Sequence, residues 1–164
     1  MYAENLKNRI CRIDIYMISI LLVAIEQISK MLVIKFLRNS SITIIKGILN
    51  FTYCENRGIA FSMGDGKVPA FIIVNILIIG GLIFFYEKNR SDFSGMKKIF
   101  FIMVIAGGTS NLIDRIFRGF VVDFIDINEL FQFAIFNVAD IFIVLGIIGL
   151  IISMAVKGMK SWVK

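Results

Sequence analysis

Between Asp140 and Lys157 sixteen consecutive residues carry no charge, and between Lys67 and Glu87 nineteen do. Runs of that length and polarity belong in lipid, where a helix satisfies its own N–H and C=O groups without water. A chain of 164 residues that is 58% hydrophobic, with a mean hydropathy of +0.84, could not hide such surface in a soluble core. The expected class is therefore a single integral membrane domain over residues 1–164, mainly α-helical. The net charge of +6 does not point to nucleic acid. The basic residues stand scattered beside the apolar runs, as membrane-flanking residues do.

Four spans are expected, at about 13–33, 68–86, 99–113 and 136–156. The first reaches that length only if Glu26 and Lys30 lie in its outer turns. Basic Lys7, Arg9 and Arg12 precede it as in a signal peptide, but no small-residue cleavage site follows, so it reads as a retained helix. Pro69 opens the second span, where its missing N–H costs little. The third leads into AGGTSNLIDR, and its continuation past Asp114 stays open. Residues 40–63 differ: SITIIKGILNFTYCENRGIAFSM is rich in β-branched and aromatic residues and is broken by Gly47 and Gly58. Short strands are expected there, as a small β-domain between the first two helices. Residues 87–98 and 115–132 read as polar connections. Four spans put both termini on one side. That side holds ten Lys and Arg and the other eight, a small margin that favours cytoplasmic termini.

The chain contains no histidine. That excludes a Ser-His-Asp triad, a Cys-His pair and the H-E-x-x-H zinc motif, and leaves acid–base work to carboxylates, Lys, Tyr or Cys. The two cysteines, Cys11 and Cys54, fall on opposite sides of the bilayer in this topology, so both are expected to be free. No metal site and no cofactor is expected.

Against that background the polar residues stand out, because charge at membrane depth is costly and marks function by default. They form four clusters at one end of the spans. Glu26 and Lys30 are four apart in the favourable acid-first order; a helix-end salt bridge with a snorkelling lysine would also explain them. In ENRGIAF, Asn56 and Gly58 could form a tight turn that presents backbone N–H groups. In GGTSNLIDR, Asn111, Asp114 and Arg115 share a helix face, and Gly107 and Gly108 permit close helix approach. The last cluster is VVDF with FNVAD. Asp140 alone could be a helix-dipole charge, but that explains neither Asp123 in an apolar run nor Asn137 one turn before Asp140.

Two carboxylates without histidine or metal point to aspartic-protease chemistry. Two close carboxylates share one proton. The ionised one takes a proton from attacking water, and the protonated one hydrogen-bonds the carbonyl oxygen. Asp123 and Asp140 are seventeen residues apart, so the chain must fold back to unite them.

NRGIAF, GGTSNLIDR, VVDFID and FNVAD, in this order on four hydrophobic segments, resemble the motif set of the bacterial lipoprotein signal peptidases (signal peptidase II). The resemblance covers nearly the whole chain, and the ordered set is far more specific than any one motif. It implies a multi-pass enzyme of the bacterial inner membrane, with both termini cytoplasmic and an extracytoplasmic active site and β-domain. Its partners would be membrane lipids and prolipoproteins, cleaved just before a cysteine that carries a diacylglyceryl group; nucleic acid is not among them. The resemblance puts the catalytic dyad on Asp123 and Asp140. Asn111, Asp114 and Arg115 match the supporting cluster, Asn56, Gly58 and Ala60 the turn over the substrate, and Asn137 the asparagine before the second aspartate. Lys30 matches the lysine of a D-Q-x-x-K motif. The chain departs from the pattern twice. Glu26 stands where the family usually has Asp, and Ile59 where it has the first of two alanines.

Two other readings use the same residues. A small transporter would also carry intramembrane acids and amides, but near mid-membrane and often within inverted repeats, whereas these cluster at one end and no repeat is visible. A structural subunit without chemistry gives no reason for two aspartates beside asparagines.

Overall fold

A computed structural model describes residues 2–58, 67–93 and 95–162, with side chains described for 15–156 of these. Among the described residues there are four α-helices: α1 (Tyr2–Leu37), α2 (Val68–Lys88), α3 (Met96–Arg118) and α4 (Val138–Trp162). Each is long and apolar enough to cross a membrane, over Ile15–Leu37, Val68–Lys88, Met96–Arg118 and Val138–Val156. Three strands, β1 (Ser41–Ile45), β2 (Leu49–Asn56) and β3 (Val121–Asp126), form an antiparallel sheet in the order β1-β2-β3. A 3₁₀ turn (Arg90–Asp92) lies between α2 and α3.

The central helix is α3. More than half of its most apolar window is buried, whereas none of α2's is, and α3 packs against α1, α2 and α4. Hydropathy and burial therefore run in opposite directions. The most apolar helices face lipid, and the more polar one is enclosed by its neighbours, as expected where the solvent is itself apolar. Small residues set the closest approach. A Cβ on Gly107 would strike the Ala139 carbonyl, and one on Gly146 would strike the Phe100 carbonyl and Val104. Hydrogen alone fits at both places, so α3 and α4 lie backbone to backbone.

Two regions go beyond the sequence expectation. The third helix, whose continuation past Asp114 the sequence left open, runs through Arg118. Its polar last turns are turned onto α1 and β3 rather than into water. It stops at Gly119, whose φ of 77° is left-handed and whose N–H returns to the Arg115 carbonyl. The sheet is also not confined to the segment between the first two helices. VVDFID, expected as part of a polar connection, is its third strand, paired Asn56 to Val121 and Cys54 to Asp123. The strand is almost wholly buried at its start. Its alternation is hidden because both faces are covered, Val122 and Phe124 by an apolar cluster with Val33 and Leu37 and Asp123 by Asn56 and Asn137, and such a run cannot be recognised by period alone.

One feature of the chain path decides the site. After β3 the backbone loops out through residues 127–135, then Phe136 pairs back onto Ile125, with N···O distances of 2.7 and 3.1 Å. Asn137 and the first turn of α4 are thereby laid against β3.

Candidate active site

Asp123 stands on β3 and Asp140 in the first turn of α4. The Phe136 return brings them to the two sides of Asn137. The Asn137 amide Nδ2 donates to Asp123 Oδ1 (2.6 Å), while its backbone N–H donates to Asp140 Oδ2 (3.1 Å). The Asp140 N–H donates back to Asn137 Oδ1 (2.9 Å), so Asn137 and Asp140 cap each other at the helix start. Each carboxylate receives one further amide. Asn56 Nδ2 donates to Asp123 Oδ2 (2.9 Å) and Asn111 Nδ2 to Asp140 Oδ1 (2.8 Å). Three asparagines thus aim N–H groups at two acids. Amides suit this task because they donate without charge, and so do not hold both acids ionised.

Asp123 is 1% exposed. Burial, and after it the negative charge of Asp140, raises its pKa from the ordinary 3.8 to about 7. The amides of Asn56 and Asn137 and the Lys30 ammonium oppose that rise without cancelling it. A carboxyl that keeps its proton near neutrality, beside a second acid, is suited to acid–base work. Both aspartates line a cavity of about 470 Å³. Its walls are mostly apolar, including Val121, Phe133, Ile141, Val144 and Leu145. A second cavity of about 410 Å³, lined by Cys54, Asn128 and Gln132, meets it at Asp123.

Behind the aspartates lies a charged layer. Lys30 is fully buried, with Nζ 2.8 Å from Asp114 Oδ2, 3.7 Å from Glu26 Oε1 and 2.9 Å from Asn111 Oδ1. It does not snorkel: it is turned inward, and Glu26, 3% exposed, goes with it. Asp114 also pairs with Arg118 and accepts from Gln27. Arg115 does not pair with Asp114. Adjacent helix positions point apart, and its guanidinium donates to the Gly58 carbonyl (3.0 Å). The expected turn at residues 56–58 presents that carbonyl rather than free N–H groups, because the Gly58 N–H is taken by Asn56 Oδ1 (3.0 Å).

The structure therefore gathers Asp123, Asp140, Asn56, Gly58, Asn111, Asp114, Arg115, Asn137, Glu26 and Lys30 into one contiguous network. Ala60 and Ile59 lie outside the described residues, as does the Cys11 side chain; Cys54 is a free thiol. Beyond the expected site residues the network takes in Ser29 and Ser110 and, on its charged side, Gln27 and Arg118. The last two carried a signal: Gln27 sits inside EQISK, and Arg118 follows Asp114 by one helical turn. Among the described residues no group of three or more Asp, Glu or Cys side chains converges as a metal would require.

The model of the signal peptidase (SPase) II family matches residues 18–156. The lipoprotein signal peptidase of Fusobacterium nucleatum is 36% identical over 153 residues, spanning 93% of this chain and 92% of that protein. Its counterpart from Caldicellulosiruptor bescii is 40% identical over 124 residues, 76% of this chain and 79% of the other. Among solved structures, a bacterial membrane enzyme determined by the in meso method at 2.3 Å superposes with a TM-score of 0.79 at 31% identity, over 87% of each chain. Another, at 1.9 Å, gives a TM-score of 0.74 at 31% identity, over 86% of this chain and 92% of that one. A match over most of the length, in sequence and in fold alike, leaves one conclusion: the chain belongs to the signal peptidase II family.

Proposed function

We propose that this chain is the aspartic endopeptidase that removes signal peptides from prolipoproteins, cleaving before a diacylglyceryl-modified cysteine, and that Asp123 and Asp140 are its catalytic residues. The observation that carries the dyad is the position of Asn137. Its side-chain amide holds one carboxylate and its main-chain N–H the other, at the wall of one cavity.

The chemistry follows from the environments. Asp123, with a pKa raised to about 7, keeps its proton and donates a hydrogen bond to the scissile carbonyl oxygen. Asp140 acts as the base. Water attacks the carbonyl carbon and passes one proton to Asp140, while the carbonyl oxygen takes up the proton of Asp123. The resulting diol collapses: the C–N bond breaks, the proton on Asp140 goes to the departing amine of the lipidated cysteine, and a diol proton returns to Asp123. One water is consumed, and the dyad ends as it began.

The site's depth suits that substrate. The apolar cavity wall of Val144 and Leu145 belongs to α4, a spanning helix, so acyl chains can stay in the bilayer while the peptide reaches the acids. The site is assigned to the extracytoplasmic side, with both termini cytoplasmic, on the Lys and Arg balance of ten to eight.

The test uses purified enzyme and a diacylglyceryl-modified precursor. Asp123→Asn and Asp140→Asn should each keep precursor binding and lose turnover by at least about 100-fold, the low end of what a positioned acid or base contributes. Undiminished turnover in either variant would overturn the dyad.

A further inference from the structure

Three buried charges near the site take no part in this mechanism: Glu26 (3% exposed), Lys30 (0%) and Asp114 (0%). Burying so much charge is costly unless every group is paired. The pairing follows a pattern that the catalytic residues explain.

Secondary structure leaves a backbone donor over beside each aspartate. Val122, just before Asp123, lies on β3, an outer strand of the sheet; such a strand has N–H groups on its free side that no neighbouring strand takes. Ala139, just before Asp140, is in the first turn of α4, whose N–H groups have no intrahelical acceptor. Neither is left bare. The Val122 N–H donates to Asp114 Oδ2 (3.1 Å) and the Ala139 N–H to Glu26 Oε1 (3.2 Å). Those same two oxygens are the ones that face Lys30 Nζ, at 2.8 and 3.7 Å. A single line of contacts therefore runs from the backbone preceding one aspartate to the backbone preceding the other, through Asp114, Lys30 and Glu26. On the other side of Ala139, Gly107 abuts its carbonyl, leaving no room for a Cβ. The Ala139 backbone is thus held at both its N–H and its carbonyl.

We infer that Glu26, Lys30 and Asp114 form a positioning chain that sets the spacing of Asp123 and Asp140 by anchoring the peptide N–H that precedes each of them. This rests on the dyad reading above. It also gives Glu26 a definite task. Its carboxylate serves as an acceptor for another helix's orphan N–H, so the decisive property is an oxygen at that reach.

The inference separates two substitutions of equal length. Glu26→Met fills the space and removes the acceptor; Glu26→Gln keeps an oxygen there. In purified enzyme acting on a diacylglyceryl-modified precursor, Glu26→Met should lower kcat about 10- to 100-fold, the range for a displacement of about 1 Å, with KM unchanged. Glu26→Gln should recover most of that loss. A merely structural role would instead reduce the amount of folded enzyme, read by thermal unfolding in detergent, and leave kcat per folded molecule intact. Wild-type kcat in Glu26→Met, equal losses in Met and Gln, or a loss confined to KM would each overturn the positioning chain. Should Glu26→Met fail to fold, Gly107→Ala carries the test, since its methyl pushes the Ala139 carbonyl without touching a charge. Its kcat should fall with KM kept, and an unchanged kcat would overturn the proposal. Asp123→Asn and Asp140→Asn run alongside. If they are inactive while Glu26→Met is fully active, positioning fails alone; if either turns over normally, the dyad fails and positioning with it.

Discussion

The two ends of the helix bundle are both tightly buried, by opposite means. At one end Tyr86, Phe93 and Phe101 stack and cross at centroid distances of 5.0 to 5.2 Å and pack with Ile15, Ile102 and Ile105. At the other end Lys30, Asp114, Asn111, Asn137 and Asp123 are at least as well buried, and what joins them is hydrogen bonds and an ion pair, beside a second apolar cluster of Val33, Leu37, Val122 and Phe124. Ile15 and Lys30 lie on the same helix, fifteen residues and so about 22 Å apart. In a bilayer the apolar end gains little from hiding carbon, since lipid tails are as apolar as phenylalanine. It is held by close van der Waals and ring contact. The polar end is held by the cost of leaving any donor or acceptor unmade. Contact stabilisation tolerates error, because lost contacts can be partly recovered by repacking. Hydrogen-bond satisfaction does not, and only such an environment fixes a carboxylate to a fraction of an ångström. The bundle places the proposed dyad at the end that cannot relax.

That contrast can be broken most severely at Lys30. Lys30→Met removes the one cation shared by Glu26 and Asp114 and should destabilise the protein by about 3–5 kcal/mol, abolishing turnover as well. Thermal unfolding in detergent and precursor cleavage would measure the two effects. A stable, active Lys30→Met enzyme would mean that the polar end is no more demanding than the apolar one. Phe101→Ala is the counterpart at the aromatic end. It should cost about 3 kcal/mol but leave kcat per folded molecule unchanged; a large kcat loss would show that the two ends communicate.

The pH dependence sharpens the comparison without any substitution. Asp123 has its pKa raised from 3.8 to about 7 by burial and by Asp140. It therefore carries its proton below about 7 and loses it above. Activity should decline as pH rises through about 7, by tenfold per unit beyond it, as for any single essential proton. A folded-state pKa above the unfolded one also means that its contribution to stability is complete below 3.8 and is lost as pH rises through about 7. Unfolding temperature should drift downward over that window in the wild type and less so in Asp123→Asn. An activity profile flat from pH 6 to 9 would remove Asp123 as the proton carrier. The smallest effect is expected at Lys97, whose ammonium lies 4.5 Å from the Phe93 ring centroid. Lys97→Ala should cost about 0.5–1 kcal/mol, read as a small fall in unfolding temperature with cleavage unaffected.

Much of this was legible from residues alone, for physical reasons. The apolar runs at 68–86 and 136–156 read as spanning helices; α2 takes up the first and α4, beginning at Val138, all but the first two residues of the second. Polar groups in such a chain must cluster to be tolerated, so Asn111, Asp123, Asn137 and Asp140 could be singled out before their contacts were known. What periodicity could not supply was the identity of VVDFID as a strand. Its pairing partner, Asn56 and its neighbours, is more than sixty residues away in sequence, and neither partner alone has the alternation of a half-exposed strand. Nor could it show which partners Asp114 and Arg115 meet, because that depends on which elements pack on each side of α3.

By itself the sequence determined the solvent, since long uncharged runs leave a chain no stable home but a bilayer. It also narrowed the types of chemistry open to the protein, since a chain without histidine must move protons with carboxylates, Lys, Tyr or Cys. Only the tertiary structure decided where those acids stand. The return of Phe136 onto Ile125, the backbone-to-backbone contact at Gly107 and the line from Val122 through Lys30 to Ala139 all join segments remote in the chain. Composition acts residue by residue through transfer free energy and can be read in one dimension. Donor–acceptor geometry exists only once distant segments have met.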